Sequence, residues 1–111
     1  MRPIKFRAWD KEKGEMISWK ELSTTYASFL NTPNDWLHEA MQFTGLLDKN
    51  GKEIYEGDIV KAMLEVPITP TKVWWMPNSA QFGLYGWTRN IDEFEEIEVI
   101  GNIYENKELL K

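Results

Sequence analysis

Turn chemistry recurs along this chain at intervals of roughly ten residues, with short apolar-alternating segments between, and that spacing points to a mainly β chain, a small barrel or sandwich. Ile4, Phe6 and Ala8 alternate with Lys5 and Arg7, the period-2 pattern of a half-buried strand. The polar run Asp10-Lys11-Glu12-Lys13-Gly14 then leads into Met16-Ile17-Ser18-Trp19, which together read as a β-hairpin. Leu46-Leu47 and Glu53-Ile54-Tyr55 flank Asp48-Lys49-Asn50-Gly51, a second hairpin signal because Asn and Gly tolerate positive φ. Glu56-Gly57-Asp58 is a further tight turn feeding the strand Ile59-Val60-Lys61-Ala62-Met63-Leu64.

Pro67 and Pro70 bracket a loop that no central strand accommodates, since proline cannot donate to a ladder. Lys72 to Met76 and Gln81 to Trp87 read as two strands around a Pro77-Asn78-Ser79 turn. The acidic stretch 92–98 fits either a helical turn or the start of a strand. Glu98-Val99-Ile100 and Asn102-Ile103-Tyr104 form a strand interrupted at Gly101, where a bulge or bend fits.

Two segments break the β pattern. Over 20–31, Leu22, Tyr26, Phe29 and Leu30 fall at helical spacing, while Ser23-Thr24-Thr25 weakens a helix, so this is a short helix or an ordered loop. Thr32-Pro33-Asn34-Asp35 carries helix-start chemistry and predicts a short helix through Trp36, Leu37, Ala40 and Met41, ending before Thr44-Gly45. The expectation is a mainly β, single-domain chain closed into a small barrel or sandwich, with one or two short helices. No internal repeat, low-complexity run or linker interrupts it.

The length of 111 residues is one domain's worth, and 42% hydrophobic with 28% charged residues is ordinary globular composition. Aromatics, at 14% with six Trp, are the unusual part, and a chain this short needs bulky side chains to build a core. The absence of cysteine excludes disulfides, thiolate metal sites and cysteine nucleophiles. No apolar run approaches the roughly 18–20 residues that span a bilayer, and the N-terminus lacks a signal core, so a cytoplasmic protein without a membrane partner is expected.

The net charge of −5 is unevenly placed. Residues 1–20 carry six Lys/Arg and three Asp/Glu, and residues 88–111 carry three and seven. Such asymmetry can steer a partner or drive head-to-tail self-association, although solvated strand faces are the better account of it.

Three blocks together resemble a known family. They are Arg2-Pro3-Ile4-Lys5-Phe6-Arg7-Ala8-Trp9-Asp10, then Met41-Gln42-Phe43-Thr44-Gly45-Leu46 continuing through Asp48-Lys49-Asn50-Gly51-Lys52-Glu53-Ile54-Tyr55-Glu56-Gly57-Asp58-Ile59-Val60, and last Val99-Ile100-Gly101-Asn102-Ile103-Tyr104-Glu105-Asn106. In order and spacing they resemble the YopX family of phage and prophage proteins, leaving 18–35 and 65–95 outside the shared blocks. The resemblance implies an SH3-like barrel over 45–104 behind an N-terminal hairpin and helical segment over 1–44, a setting in phage or prophage genomes inside a bacterial host, and no established activity or catalytic residues. From the residues themselves, Asn50-Gly51 and Gly57-Asp58 are turn chemistry, and Ile54, Ile59, Val60, Ile100 and Ile103 are β-branched core candidates.

Chemistry-bearing constellations are sparse. His38 is the sole histidine, so a metal site would have to be carboxylate-rich, and His38-Glu39 is not followed by the second histidine of a zinc protease. Ser23, Thr24 and Thr25 have no neighbouring base, and no Gly-x-Ser-x-Gly elbow or phosphate-binding glycine loop is present. Asp92, Glu93, Glu95 and Glu96 offer paired carboxylates for acid–base work, but a linear acidic run reads better as a solvated face. The expectation is therefore a protein that is not an enzyme and takes no cofactor.

Lys72, Trp74, Trp75, Tyr85, Trp87 and Arg89 form the candidate interaction surface. Rings and cations interleaved on a small barrel suit single-stranded nucleic acid, with Arg2, Lys5 and Arg7 as further cations, but an acidic chain is a poor electrostatic match. Trp, Tyr and Arg are also the side chains that most often anchor protein interfaces. A protein partner, from host or phage, or self-association therefore leads; nucleic-acid binding is second, and a carboxylate-based enzyme third. One variant has Asp92 to Glu98 mimic nucleic-acid phosphate.

Overall fold

The computed structural model describes residues 4–24 and 38–110. Among these residues it is mainly β, with two antiparallel sheets, one of them a curled half-barrel, and one short α-helix. The chain divides into two compact units, Met1–Phe43 and Thr44–Lys111.

In the first unit the predicted hairpin forms from β1 (Phe6–Asp10) and β2 (Glu15–Ile17), in the register Ala8↔Ile17, Trp9↔Met16 and Asp10↔Glu15. Asp10 builds its turn. Its Oδ1 accepts the N–H groups of Glu12 and Lys13 at 3.0 and 2.9 Å, and its carbonyl accepts from Gly14 at 2.8 Å. Gly14 takes φ +67°, which costs a residue without Cβ nothing. Ser18 then starts α1 (Trp19–Thr24) by accepting the Glu21 N–H, and Leu22 from that helix is buried against Ala8 and Ile17. The tail of the 20–31 segment, residues 25–31, lies outside the described residues.

The helix expected through Trp36, Leu37, Ala40 and Met41 is corrected over its described part. Residues 38–41 open β3 (His38–Leu47), whose first half pairs with β1 as Asp10↔His38, Ala8↔Ala40 and Phe6↔Gln42. Residues 32–37 lie outside the described residues. Here the β1 ladder and the alternate burial of Met41 and Phe43 override a helix-compatible sequence.

The last residues of β3 belong to the second unit, where β4 (Glu53–Tyr55) follows the predicted Asp48–Gly51 turn. Then come β5 (Asp58–Leu64), β6 (Val66–Pro67), β7 (Thr71–Met76), β8 (Gln81–Leu84) and β9 (Glu95–Asn102). β5 is the spine. It pairs with β9 along one edge, with β6 and β7 along the other, and β7 carries β8. This curled sheet is consistent with the small β-barrel expected. Two register shifts let β9 follow the curvature, one at Ile100 beside Gly101, where interruption was expected, and one at Glu96, whose φ is +53°.

Pro67 is not confined to a loop; it ends the two-residue β6, an edge position where its missing N–H is tolerated. The strand expected from Gln81 to Trp87 stops at Leu84, because Gly86 at φ +96° turns the chain away. The acidic stretch takes both expected forms, a 3₁₀ turn at Ile91–Glu93 and then β9. Ile54, Val60, Ala62, Val73, Phe82, Leu84, Ile91 and Phe94 form the core, and each fully buried branched side chain contributes about 1.5–3 kcal/mol. Among the described residues, no helix is long and apolar enough to cross a membrane.

Candidate interaction surface

Alternation along β7 sends its two tryptophans to opposite faces. Val73 and Trp75 lie opposite Leu84 and Phe82 on the core side, while Trp74 lies opposite Gly83 on the outer side. Trp75 sits at the rim of the core, 42% exposed, with its ring edge-on to Phe82 at 4.9 Å. The Trp74 ring meets Tyr85 at 5.1 Å, and the Lys72 ammonium lies 4.7 Å above the Tyr85 ring, so three members of the predicted set share the outer face. Thr71 Oγ1 donates to the Tyr85 carbonyl at 2.8 Å and holds that corner, while Tyr85 itself is 53% exposed. The Trp74 Nε1 is buried and has no hydrogen-bond partner among the described residues.

Trp87 and Arg89 lie elsewhere. After Gly86 the chain returns along the far edge of β8, where Asn90 bridges to Gly83. A Cβ on Gly83 would sit 2.6 Å from the Met76 Cε and 2.8 Å from the Arg89 carbonyl, so only glycine lets this segment approach β8. The Trp87 ring stands edge-on to the buried Phe94 at 5.8 Å and remains 38% exposed. Asn90 and Glu93 cap the following 3₁₀ turn reciprocally, and the same Glu93 reaches Arg89 at 4.0 Å.

Trp87 and Arg89 thereby wall a cleft of about 470 Å³ whose other sides are Met63, Leu64, Glu65, Val66, Ile68 and Glu95. Sequence reasoning missed the β5–β6 hairpin as part of this surface. Glu65 occupies its tip at φ +66°, a position that usually announces itself as glycine or asparagine, so no local signal marked the turn. A neighbouring cleft of about 420 Å³ shares Met63 and Ile68 and is rimmed by Lys49, Lys61, Glu96 and Glu98.

The remaining sequence candidates are scattered. His38 lies on β3, not on a helix, with its Nε2 3.8 Å from Asp10 Oδ2, and that carboxylate already organises the first turn. Asp92 and Glu93 sit in the 3₁₀ turn and Glu95 opens β9. Glu96 occupies the bulge, and Glu98 lies 3.7 Å from Lys49 in an ion pair. Lys5 stacks over Phe43 at 5.0 Å in the first unit, and Arg2 lies outside the described residues. Among the described residues no three His, Asp or Glu side chains are grouped to hold a metal ion.

The curled antiparallel strands make this a small mainly β protein, consistent with a small β-barrel. The chain belongs to the YopX family, whose sequence model, described as YopX protein, matches residues 5–111. Among solved structures it is similar to protein EF1440 from Enterococcus faecalis, with a TM-score of 0.71 and 24% identity, covering 100% of both chains. That likeness is one of fold. The comparison with curated proteins found no match.

Proposed function

We propose that this is a phage- or prophage-encoded accessory protein that acts without catalysis in the bacterial cytoplasm, binding another protein through its second unit. The observation that carries the reading is the exposure of Trp75, Tyr85 and Trp87 around the β7–β8 ribbon. Large rings left partly in water are what protein interfaces bury, and Trp and Tyr supply much of the binding energy there. The phage setting rests on family membership.

The experiment is affinity capture of the tagged protein from bacterial lysate, with and without nuclease, repeated for Trp75→Ala, Tyr85→Ala and Trp87→Ala. A partner that survives nuclease and is lost from at least one folded variant supports the reading. Captured protein indifferent to all three substitutions overturns this surface. Light scattering on the purified protein tells self-association from a foreign partner.

A nucleic-acid reading draws on the stack of Lys72, Tyr85 and Trp74, a cation beside two rings on one face. The net charge of −5 weighs against it, and the Lys72 ammonium is already engaged by a ring. Affinity for oligonucleotides that falls steeply with salt would favour it.

A further inference from the structure

The cleft beside Trp87 combines apolar side chains with acidic lips, and its charge says what kind of segment fits it. Met63, Leu64, Val66, Ile68 and Trp87 supply the apolar surface, with Val66 64% and Trp87 38% exposed. Glu65 at the hairpin tip and Glu95 at the start of β9 stand on the rim, both exposed. Arg89, the cation among the lining residues, lies 4.0 Å from Glu93, so carboxylates outnumber the guanidinium around the cleft. The potential is reinforced by five carboxylates between positions 92 and 98, in an already acidic chain.

Resting on the interaction reading above, we infer that this cleft docks a cationic–apolar peptide segment of a partner protein. A bulky aliphatic or aromatic side chain lies against Trp87 and Val66, and flanking Lys or Arg side chains reach Glu65 and Glu95. Apolar burial supplies affinity, and the carboxylates choose the partner by sign, since an acidic or phosphate-bearing ligand is repelled from the same lips.

The backbone gives the test a favourable variant. Glu65 holds φ +66°, a conformation that disfavours a side chain with a Cβ and suits glycine. Glu65→Gly removes the carboxylate while easing the turn, so lost binding cannot be blamed on a damaged fold.

The probes are three fluorescein-labelled synthetic nonapeptides with Leu and Phe at fixed positions and Lys, Glu or Ser between them, titrated by fluorescence anisotropy at low and high salt. The lysine peptide is expected to bind with an affinity that falls with salt, and the glutamate peptide not to bind. Glu65→Lys combined with Glu95→Lys is expected to weaken the lysine peptide about tenfold, and Glu65→Gly about two- to fivefold at unchanged or higher Tm. Equal binding of all three peptides, binding indifferent to these substitutions, or no binding of the lysine peptide overturns the inference. Lysate capture with the double reversal separates the two readings. A partner retained by it but lost with Trp75→Ala or Tyr85→Ala sinks the cleft and leaves the interaction module standing, whereas a captured set unmoved by any of these variants sinks both.

Discussion

The Asp48 carboxylate accepts the Val99 N–H at 2.9 Å, joining the β3–β4 turn to β9 across 51 residues of chain. Its other oxygen accepts the N–H groups of Asn50 and Lys52 at 2.8 and 2.9 Å, so one buried side chain both folds its own turn and clasps the last strand. Nearby, the Lys49 N–H donates to the Ile97 carbonyl and the Ile103 N–H to that of Gly57. The second and third of the three sequence blocks therefore meet in one clasp, and Asp48 within it has a structural task.

Asp48→Asn keeps the shape and removes the charge, and it is expected to cost about 1–3 kcal/mol in urea denaturation. Burial pushes the Asp48 carboxyl up, but the donors from Val99, Lys52 and Asn50, with the Lys52 ammonium, hold it below its ordinary value. A depressed folded-state value means the unfolded chain takes up its proton first. The stabilisation is thus complete above the ordinary carboxylate range and lost as pH falls toward the folded-state value. The gap between wild type and Asp48→Asn should narrow on acidification; a gap constant down to the acid transition would refute the assignment.

Gly101→Ala should lower stability by about 1–3 kcal/mol, because the new Cβ would meet the Asn106 side chain at 2.6–2.8 Å. Asn106 has little room to yield, since its Oδ1 accepts the Asn102 N–H at 3.1 Å. Adding Asn106→Ala should recover part of the loss. A strictly additive double mutant would show that the two positions do not collide.

Thr44→Val tests a buried hydroxyl at nearly constant volume. Thr44 Oγ1 donates to the Ile54 carbonyl at 2.8 Å and accepts the Leu46 N–H at 3.2 Å, tying β3 to β4. Its loss should cost about 1–3 kcal/mol, read from the midpoint of thermal or urea unfolding. No change would mean that water or a neighbouring group takes over both bonds.

Trp74→Phe makes the opposite case. The indole N–H is buried without an acceptor, so removing it gives up no hydrogen bond while the ring contact with Tyr85 can persist. Stability should stay within about 1 kcal/mol of wild type, with either sign. A loss well beyond that would point to an acceptor for the indole in solution.

The turns were the legible part of the fold, because Asn50-Gly51 and Gly57-Asp58 state their backbone needs locally. The strand at 38–41 was illegible for the converse reason: its pairing partner, β1, lies some thirty residues away, while the helix-start chemistry sits just before it. Glu65 takes positive φ without a glycine to announce it, so the β5–β6 hairpin stayed hidden, and with it the acidic lip of the cleft. Residue types named a set of rings and cations but not which rings are exposed; the structure leaves Trp75, Tyr85 and Trp87 open and half-buries Trp74. What they could not show is their division between two strand faces and a returning segment, since that depends on where β8 ends.

The pairing of β5 with β9, and the Asp48 clasp beside it, also set a timetable for the second unit. A nascent chain that has not yet reached Asn102 holds β5 with one edge unpaired, and Asp48 without the donor that secures it to β9. Contacts this distant along the chain form slowly, because a long loop must close before any of them repays its entropy. Synthesis thus leaves an interval in which the exposed edge of β5 can pair with the wrong strand, and its length depends on how soon the final strand arrives.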